Sequence, residues 1–426
     1  MLTNERVLSK DDQVVEADSE VQAADQVALA PSRPQVSLIT IFLAYSQVGV
    51  TAFGLAILQK LRTLVLSNDW LSEQEMNEGL ALVQLYPGPL MVDFTAYVGY
   101  RLRGVPGAVL ATLGFVAPSF VLMLALSAAY FSSGNLPWVH PLFLGLEALV
   151  VGVVLNVTMD FGERALKGPI EAGLALAAFT AVSFRANSIL VVLAALALGA
   201  VLLRTQTPVG RPDAKASVHS ANPIPGKRWA AIGAVVAVVL AGVALAVALQ
   251  SEVGRMSLTF FKIGSVAFGS GMTIMPLIQA DVVDAHHWLS MSQFADGIAL
   301  GQITPGPFLI TATFIGYKLG GIGAAALTTF AMFAPSFAMT LVFTEVFTRI
   351  RNPQAMRGAL AGVLAAFVGL LATVVLQLGA VGIVGPASLA LAAGAFVAVR
   401  FFKWDIIWIF VGGLLLWGLL LTAGVA

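Results

Sequence analysis

The chain contains no cysteine, which excludes disulfides, thiol chemistry and cysteine-based metal sites. Histidine is almost as scarce: none of the four has a second histidine or a carboxylate at metal-ligand spacing on one helix face. His286 and His287 sit side by side among polar neighbours and suit an interfacial loop. Charge is thin as well, with Asp, Glu, Lys and Arg at 11% of the chain, against about 25% in a soluble domain. Hydrophobic residues reach 58%, the balance of a polytopic membrane protein. The 23 Lys and Arg offset the 23 Asp and Glu, so no basic field recruits nucleic acid. No G-x-x-x-x-G-K-[ST] phrase occurs, which argues against direct ATP drive. Nor is there a nucleophile with its base or a ligand set for a redox centre, so neither an embedded oxyanion reductase nor a lipid-modifying enzyme is expected, and no cofactor or metal.

Residues 1–35 carry seven acids and no apolar run, and read as a disordered acidic tail rather than a signal peptide. From Leu38 onward, apolar runs long enough for a hydrocarbon core of about 30 Å fall at 38–58, 80–100, 105–130, 141–159, 170–183 and 188–203. After a polar linker (204–228) and an extra Ala/Val-rich span at 229–249, the pattern returns at 258–279, 298–317, 321–344, 358–377, 382–399 and 404–423. The expected fold is therefore all-α, with about 13 transmembrane helices. The first repeat is 36–203 and the second 250–426. Six spans return the chain to its starting face and the seventh delivers the second half to the other, so the two six-span repeats should be inverted. On that topology 17 Lys and Arg fall on the N-terminal face and 5 opposite, with Lys262 inside a span. The positive-inside rule then makes the N-terminus cytoplasmic and the C-terminus external. Spans 170–183 and 188–203 are short enough to read instead as one half-crossing hairpin, which would move every later loop to the other face; the 17-to-5 bias argues against it.

One phrase occurs twice. Trp70 to Pro89 (WLSEQEMNEGLALVQLYPGP) and Trp288 to Pro307 (WLSMSQFADGIALGQITPGP) match without gaps at 10 of 20 positions. The Trp-Leu-Ser opening, with Glu75 or Gln293 three residues after the serine, is a capping box beside an interfacial tryptophan. The closing Gln84-Leu85-Tyr86-Pro87-Gly88-Pro89 and Gln302-Ile303-Thr304-Pro305-Gly306-Pro307 end one helix and start another. Pro87 and Pro305 stop the first helix, Gly88 and Gly306 let the backbone leave helical dihedrals, and Pro89 and Pro307 suit the first turn of the next. A helix start offers unpaired amides and positive potential, which suits an anion. One P-G-P alone would be read as a proline kink. Two at matching places in inverted halves point to a transporter centre of broken helices.

Upstream of each phrase lies Phe53-Gly54 or Phe268-Gly269, read either as close helix packing or as a second break. Gln47 and Lys262 occupy matching places about two turns earlier. The substrate-binding candidates are thus Gln47, Gly54, Gln84, Pro87, Gly88, Lys262, Gly269, Gln302, Thr304, Pro305 and Gly306. Asp93 and Glu147 lack acidic counterparts in the other half. They are proton-coupling candidates, unless each is paired with a nearby cation or lies nearer the surface. Arg101, Arg103 and Lys318 snorkel at the membrane surface or guide anions to it.

The recurring F-G, W-L-S, Q-x-x-P-G-P, G-Y-[RK]-L (Gly99 to Leu102, Gly316 to Leu319) and A-P-S-F (Ala117 to Phe120, Ala334 to Phe337) resemble the chromate ion transporter family in its long, two-domain form. The chain departs from the family's usual F-G-G, with Leu55 and Ser270 following the glycines. The resemblance implies a secondary transporter of a bacterial inner membrane that exports chromate and confers chromate resistance. Chromate and sulfate are alike in shape and charge, so a sulfate or other oxyanion transporter or exchanger stays open, as does an anion channel. The expected partners are the oxyanion and the lipid bilayer, and the sequence permits a homodimer.

Overall fold

The computed structural model describes residues 36–54, 56–133, 139–203, 226–269, 271–346 and 353–424; the expected acidic tail and nearly all of the expected linker lie outside them. All regular structure among these residues is helical. The first repeat holds α1 (Leu38–Thr51), α2 (Ala56–Ser67), α3 (Glu73–Val83), α4 (Leu90–Ser133), α5 (Val139–Ala165), α6 (Pro169–Ser183) and α7 (Ser188–Leu202). After α8 (Gly226–Ala248), the second repeat runs through α9 (Glu252–Ser265), α10 (Met275–Gln279), α11 (Met291–Ile303), α12 (Thr311–Val346), α13 (Pro353–Gly382), α14 (Pro386–Arg400) and α15 (Ile406–Thr422). Short 3-10 turns at Gly271–Ile274 and Phe308–Ile310 and a π turn at Ala280–Ala285 fill the breaks.

Both predicted capping boxes form, with Ser72 and Ser290 accepting from the amides of Glu75 and Gln293. Beyond them, the duplication extends to packing. A Cβ on Gly79 would overlap the Tyr97 ring, and one on Gly297 would overlap the Phe314 ring. Gly49 lies against Phe115 O, as Gly264 lies against Met332 O. The long helices α4 and α12 kink at matching places, with Gly104 at φ 64°, ψ −151° and Gly321 at φ 63°, ψ −149°.

Four of the expected spans are not single crossings. Glu252 begins α9 and Trp288 follows the next helical stretch, yet Trp288 Nε1 donates to Glu252 Oε2 at 2.8 Å. Laid end to end, those two stretches would separate the residues by about 40 Å, so the chain must fold back at Phe268-Gly269. Lys262 Nζ meets Asp281 Oδ1 at 3.7 Å across the same hairpin. In the first repeat Tyr45 on α1 packs its ring 6.1 Å from that of Trp70, beyond α2, which requires the same return at Phe53-Gly54. The P-G-P phrases are also tips. Arg101 on α4 pairs with Glu75 on α3 at 2.9 Å, and the Gly79–Tyr97 contact lies between them and Gly88. The runs at 38–58, 80–100, 258–279 and 298–317 thus sit at the tips of helical hairpins. In the three later runs the apolar residues are mostly buried among other helices, whereas 38–58 buries one stripe (Ile41, Tyr45, Val48) and leaves Ile39, Leu43 and Val50 exposed.

Five stretches are long and apolar enough to cross a membrane: Leu90–Ser133, Pro141–Ala165, Gly226–Ala248, Phe308–Val346 and Arg357–Gly382. Four of these are repeat-matched pairs, and the fifth is the extra helix. α6, α7, α14 and α15 are apolar but shorter, at 15 to 17 residues. The two halves interlock, since α5 packs on α14 and α15 whereas α13 packs on α6 and α7. Small residues make this possible: Gly152 touches Ala392 O and, in the matching place, Gly369 touches Ala175 O. Each repeat therefore completes the other's core.

Candidate functional site

Hairpin tips from the two repeats meet inside this interlocked body. Gly306 adopts φ +96°, a value that its missing Cβ permits, and its amide donates 2.8 Å to Ala52 O at the tip of the first Phe-Gly hairpin. The second P-G-P is thereby tied to the first repeat. The A-P-S-F serines make further cross-repeat contacts. Ser119 on α4 donates 2.6 Å to Pro305 O and leaves no room for a Cβ on Gly306. Ser336 on α12 presses against Gly88 in the same manner. Neither serine was given a role from sequence, although both stood inside a repeated motif.

Asp93 lies in the first turn of α4, fully buried, and a Cβ on Gly88 would overlap its Oδ2. Neither carboxylate oxygen has a hydrogen-bond partner among the described residues. Ser336 and Thr340 face it, but their hydroxyls donate to Phe333 O (3.1 Å) and Ser336 O (2.9 Å). Tyr86, just before the P-G-P, donates to Thr340 Oγ1 at 2.8 Å and stacks on Phe343. A carboxylate thus stands at the very helix start where an anion would bind. Its counterpart Thr311 is neutral and donates 3.2 Å to Phe308 O.

The remaining candidates divide into two sets. Gln302, Thr304, Pro305 and Gly306 are buried around the second tip, with Gln302 Nε2 3.6 Å from Met272 Sδ and Thr304 Oγ1 donating to Leu300 O. Pro87 and Gly88 form the first tip. Gly54 (φ +50°) and Gly269 (φ +82°) form the Phe-Gly tips, where Thr273 Oγ1 bonds Phe268 O at 2.5 Å. Gln47 and Gln84 instead lie on exposed faces of α1 and at the end of α3, and Lys262 is half-exposed with Asp281 as its partner. Arg101 is held by Glu75 and Tyr97, Arg103 sits at the α4 kink, and Lys318 lies 5.1 Å over the Phe131 ring. Glu147 is buried on α5 beside an acid missed from sequence, Asp296. The signal was available, because Asp296 and Glu78 occupy the same register of the duplicated phrase.

The fold and this site define an all-helical membrane protein built from two homologous, interlocked halves whose hairpin tips meet in the interior. The chain belongs to the chromate transporter family, which matches it over residues 39–200 and again over 254–418. A chromate transport protein of Cupriavidus metallidurans is 32% identical over 84% of this chain and 85% of its own length. A chromate transport protein of Pseudomonas aeruginosa is 30% identical over 82% of each chain. An uncharacterized transporter of Methanocaldococcus jannaschii is 31% identical over 81% of this chain and 85% of its own. No solved structure matches the chain.

Proposed function

We propose that the protein is a secondary transporter that exports chromate from the cytoplasm, binding the oxyanion at the P-G-P tips. The observation that carries this reading is the pair of P-G-P tips, each packed against the A-P-S-F serine of the opposite repeat in a family of chromate transporters. Amides at the start of α4 and the buried Gln302 side-chain amide supply donors, and the helix start itself adds positive potential. Thr304, by contrast, donates its proton to Leu300 O, and Lys262 is paired with Asp281. Chromate and sulfate accept the same hydrogen bonds and no residue reads chromium, so sulfate is the expected competitor. Both tips come from one chain, and the reading needs no homodimer to complete the site.

In this reading the four hairpins are re-entrant, and each returns to the face it left. The crossings are then the second limb of α4, α5 to α8, the second limb of α12, and α13 to α15. The halves stay inverted, because each makes an even number of crossings and α8 adds one. The short pair α6 and α7 leaves the parity intact whether it crosses fully or turns back half-way, so the earlier expectation that a half-crossing would move later loops fails. Exposed Arg185 at its tip favours full crossing to a polar interface. Lys60 and Arg62 now join the cytoplasmic face, sharpening the positive-inside bias for a cytoplasmic N-terminus and external C-terminus in the bacterial inner membrane.

Membrane potential supplies the drive, about 2.3 kcal/mol per charge per 100 mV for an anion leaving a negative interior. Asp93 sets the condition for binding. Two unit charges 4 Å apart at an effective dielectric of 20 repel by about 4 kcal/mol, so a dianion at the α4 start needs Asp93 protonated. Chromate-loaded cells expressing the protein should lose chromate several-fold faster than cells with an empty vector; equal loss would rule out export.

A further inference from the structure

A second buried acid site lies away from the P-G-P tips. Glu147 on α5 and Asp296 on α11 are 2% and 3% exposed. Glu147 is bonded to Ser292, one helical turn before Asp296, which makes the two carboxyls neighbours across the α5–α11 contact. Ser292 Oγ donates to Glu147 Oε1, and Tyr130 Oη donates 2.6 Å to Asp296 Oδ2. Asp296 Oδ1 has no partner among the described residues. Aromatic rings wall off Tyr130: Phe143 at 4.9 Å and Phe314 at 5.2 Å between centroids. On α12, Lys318 and Tyr317 pack on Phe131 rather than on the acids, and no cation among the described residues faces Asp296.

Two ionised carboxylates offer only acceptors to each other and repel, which a water-poor interior makes worse. A single proton turns the same contact into a short, favourable hydrogen bond, as it does wherever two carboxyls share one proton. We propose that Glu147 and Asp296 form a proton-binding site that holds one proton between them. The site joins α5 to the limb that leads into the second P-G-P tip, so loading the proton seals that hairpin against α5 and releasing it to water loosens the contact. It exists once per chain. The counterpart of Asp296 is Glu78, exposed and bonded to Gln74, and the counterpart of Glu147 is Leu364.

Infrared spectra of the purified full-length protein without oxyanion test this in light and heavy water. At neutral pH the wild type should show a protonated-carboxyl band that shifts in heavy water and disappears in both Asp296→Asn and Glu147→Gln, a loss of one protonated carboxyl per chain. Asp296→Asn keeps a donor facing Glu147 and so keeps the contact; if it does not fold, Glu147→Gln decides. Asp93→Asn should leave the band in place. Loss of ionised-carboxylate bands alone in the acid-pair variants would overturn the proposal, without bearing on whether chromate is carried.

Discussion

Gly306→Ala should lower chromate efflux at least tenfold while the protein still inserts at normal levels. Three penalties fall on one residue. An alanine at φ +96° carries about 1–3 kcal/mol of backbone strain. Its Cβ would also overlap Ser119 Oγ, and moving that hydroxyl breaks its bond to Pro305 O, worth about 1 kcal/mol. Together these come to roughly 2–4 kcal/mol at the tip, and each 1.4 kcal/mol is a factor of ten in the competent population. The fold as a whole is not at risk, because the α5–α14 and α13–α6 contacts lie elsewhere. Gly233→Ala is the control: nothing lies within 4 Å of a Cβ there, and transport should be unchanged. Equal, undiminished efflux in both variants would move the site away from the second P-G-P tip.

Asp93→Asn carries the second large effect, on pH dependence. In the wild type, chromate affinity should fall as pH rises, by up to tenfold per unit once Asp93 ionises, because a buried carboxylate then competes with the dianion at the α4 start. The sign is fixed by charge: the protonated form binds and the ionised form repels. Asparagine is neutral at every pH, so the variant should lose this fall and keep only the pH dependence set by chromate's own protonation. Direct titration of chromate binding from acid to alkaline pH checks this, and an unchanged profile in the variant would remove Asp93 from the coupling.

Much of this was legible in the residues. The duplication, the capping boxes, the P-G-P helix starts and the family all followed from motifs whose chemistry is local. The hairpins did not, because an apolar run reports that a segment is buried and not whether the chain crosses or returns. Trp288 and Glu252 fix the return in the second repeat, and they are 36 residues apart. The exchange of packing partners between halves was equally hidden, since Gly152 and Gly369 read as ordinary small residues until Ala392 and Ala175 are placed against them. Asp296 was passed over because its partner Glu147 comes from the other repeat. Lys262 looked like a central cation from its register, whereas it pairs with Asp281 on a half-exposed face.

Chromate flux across liposomes holding the purified protein tests the central claim most directly. With equal chromate on both sides and a defined voltage imposed, net flux should exceed that of empty liposomes, saturate with chromate, reverse with the sign of the voltage and fall when sulfate is added. A flux no greater than that of protein-free liposomes at any voltage would contradict it.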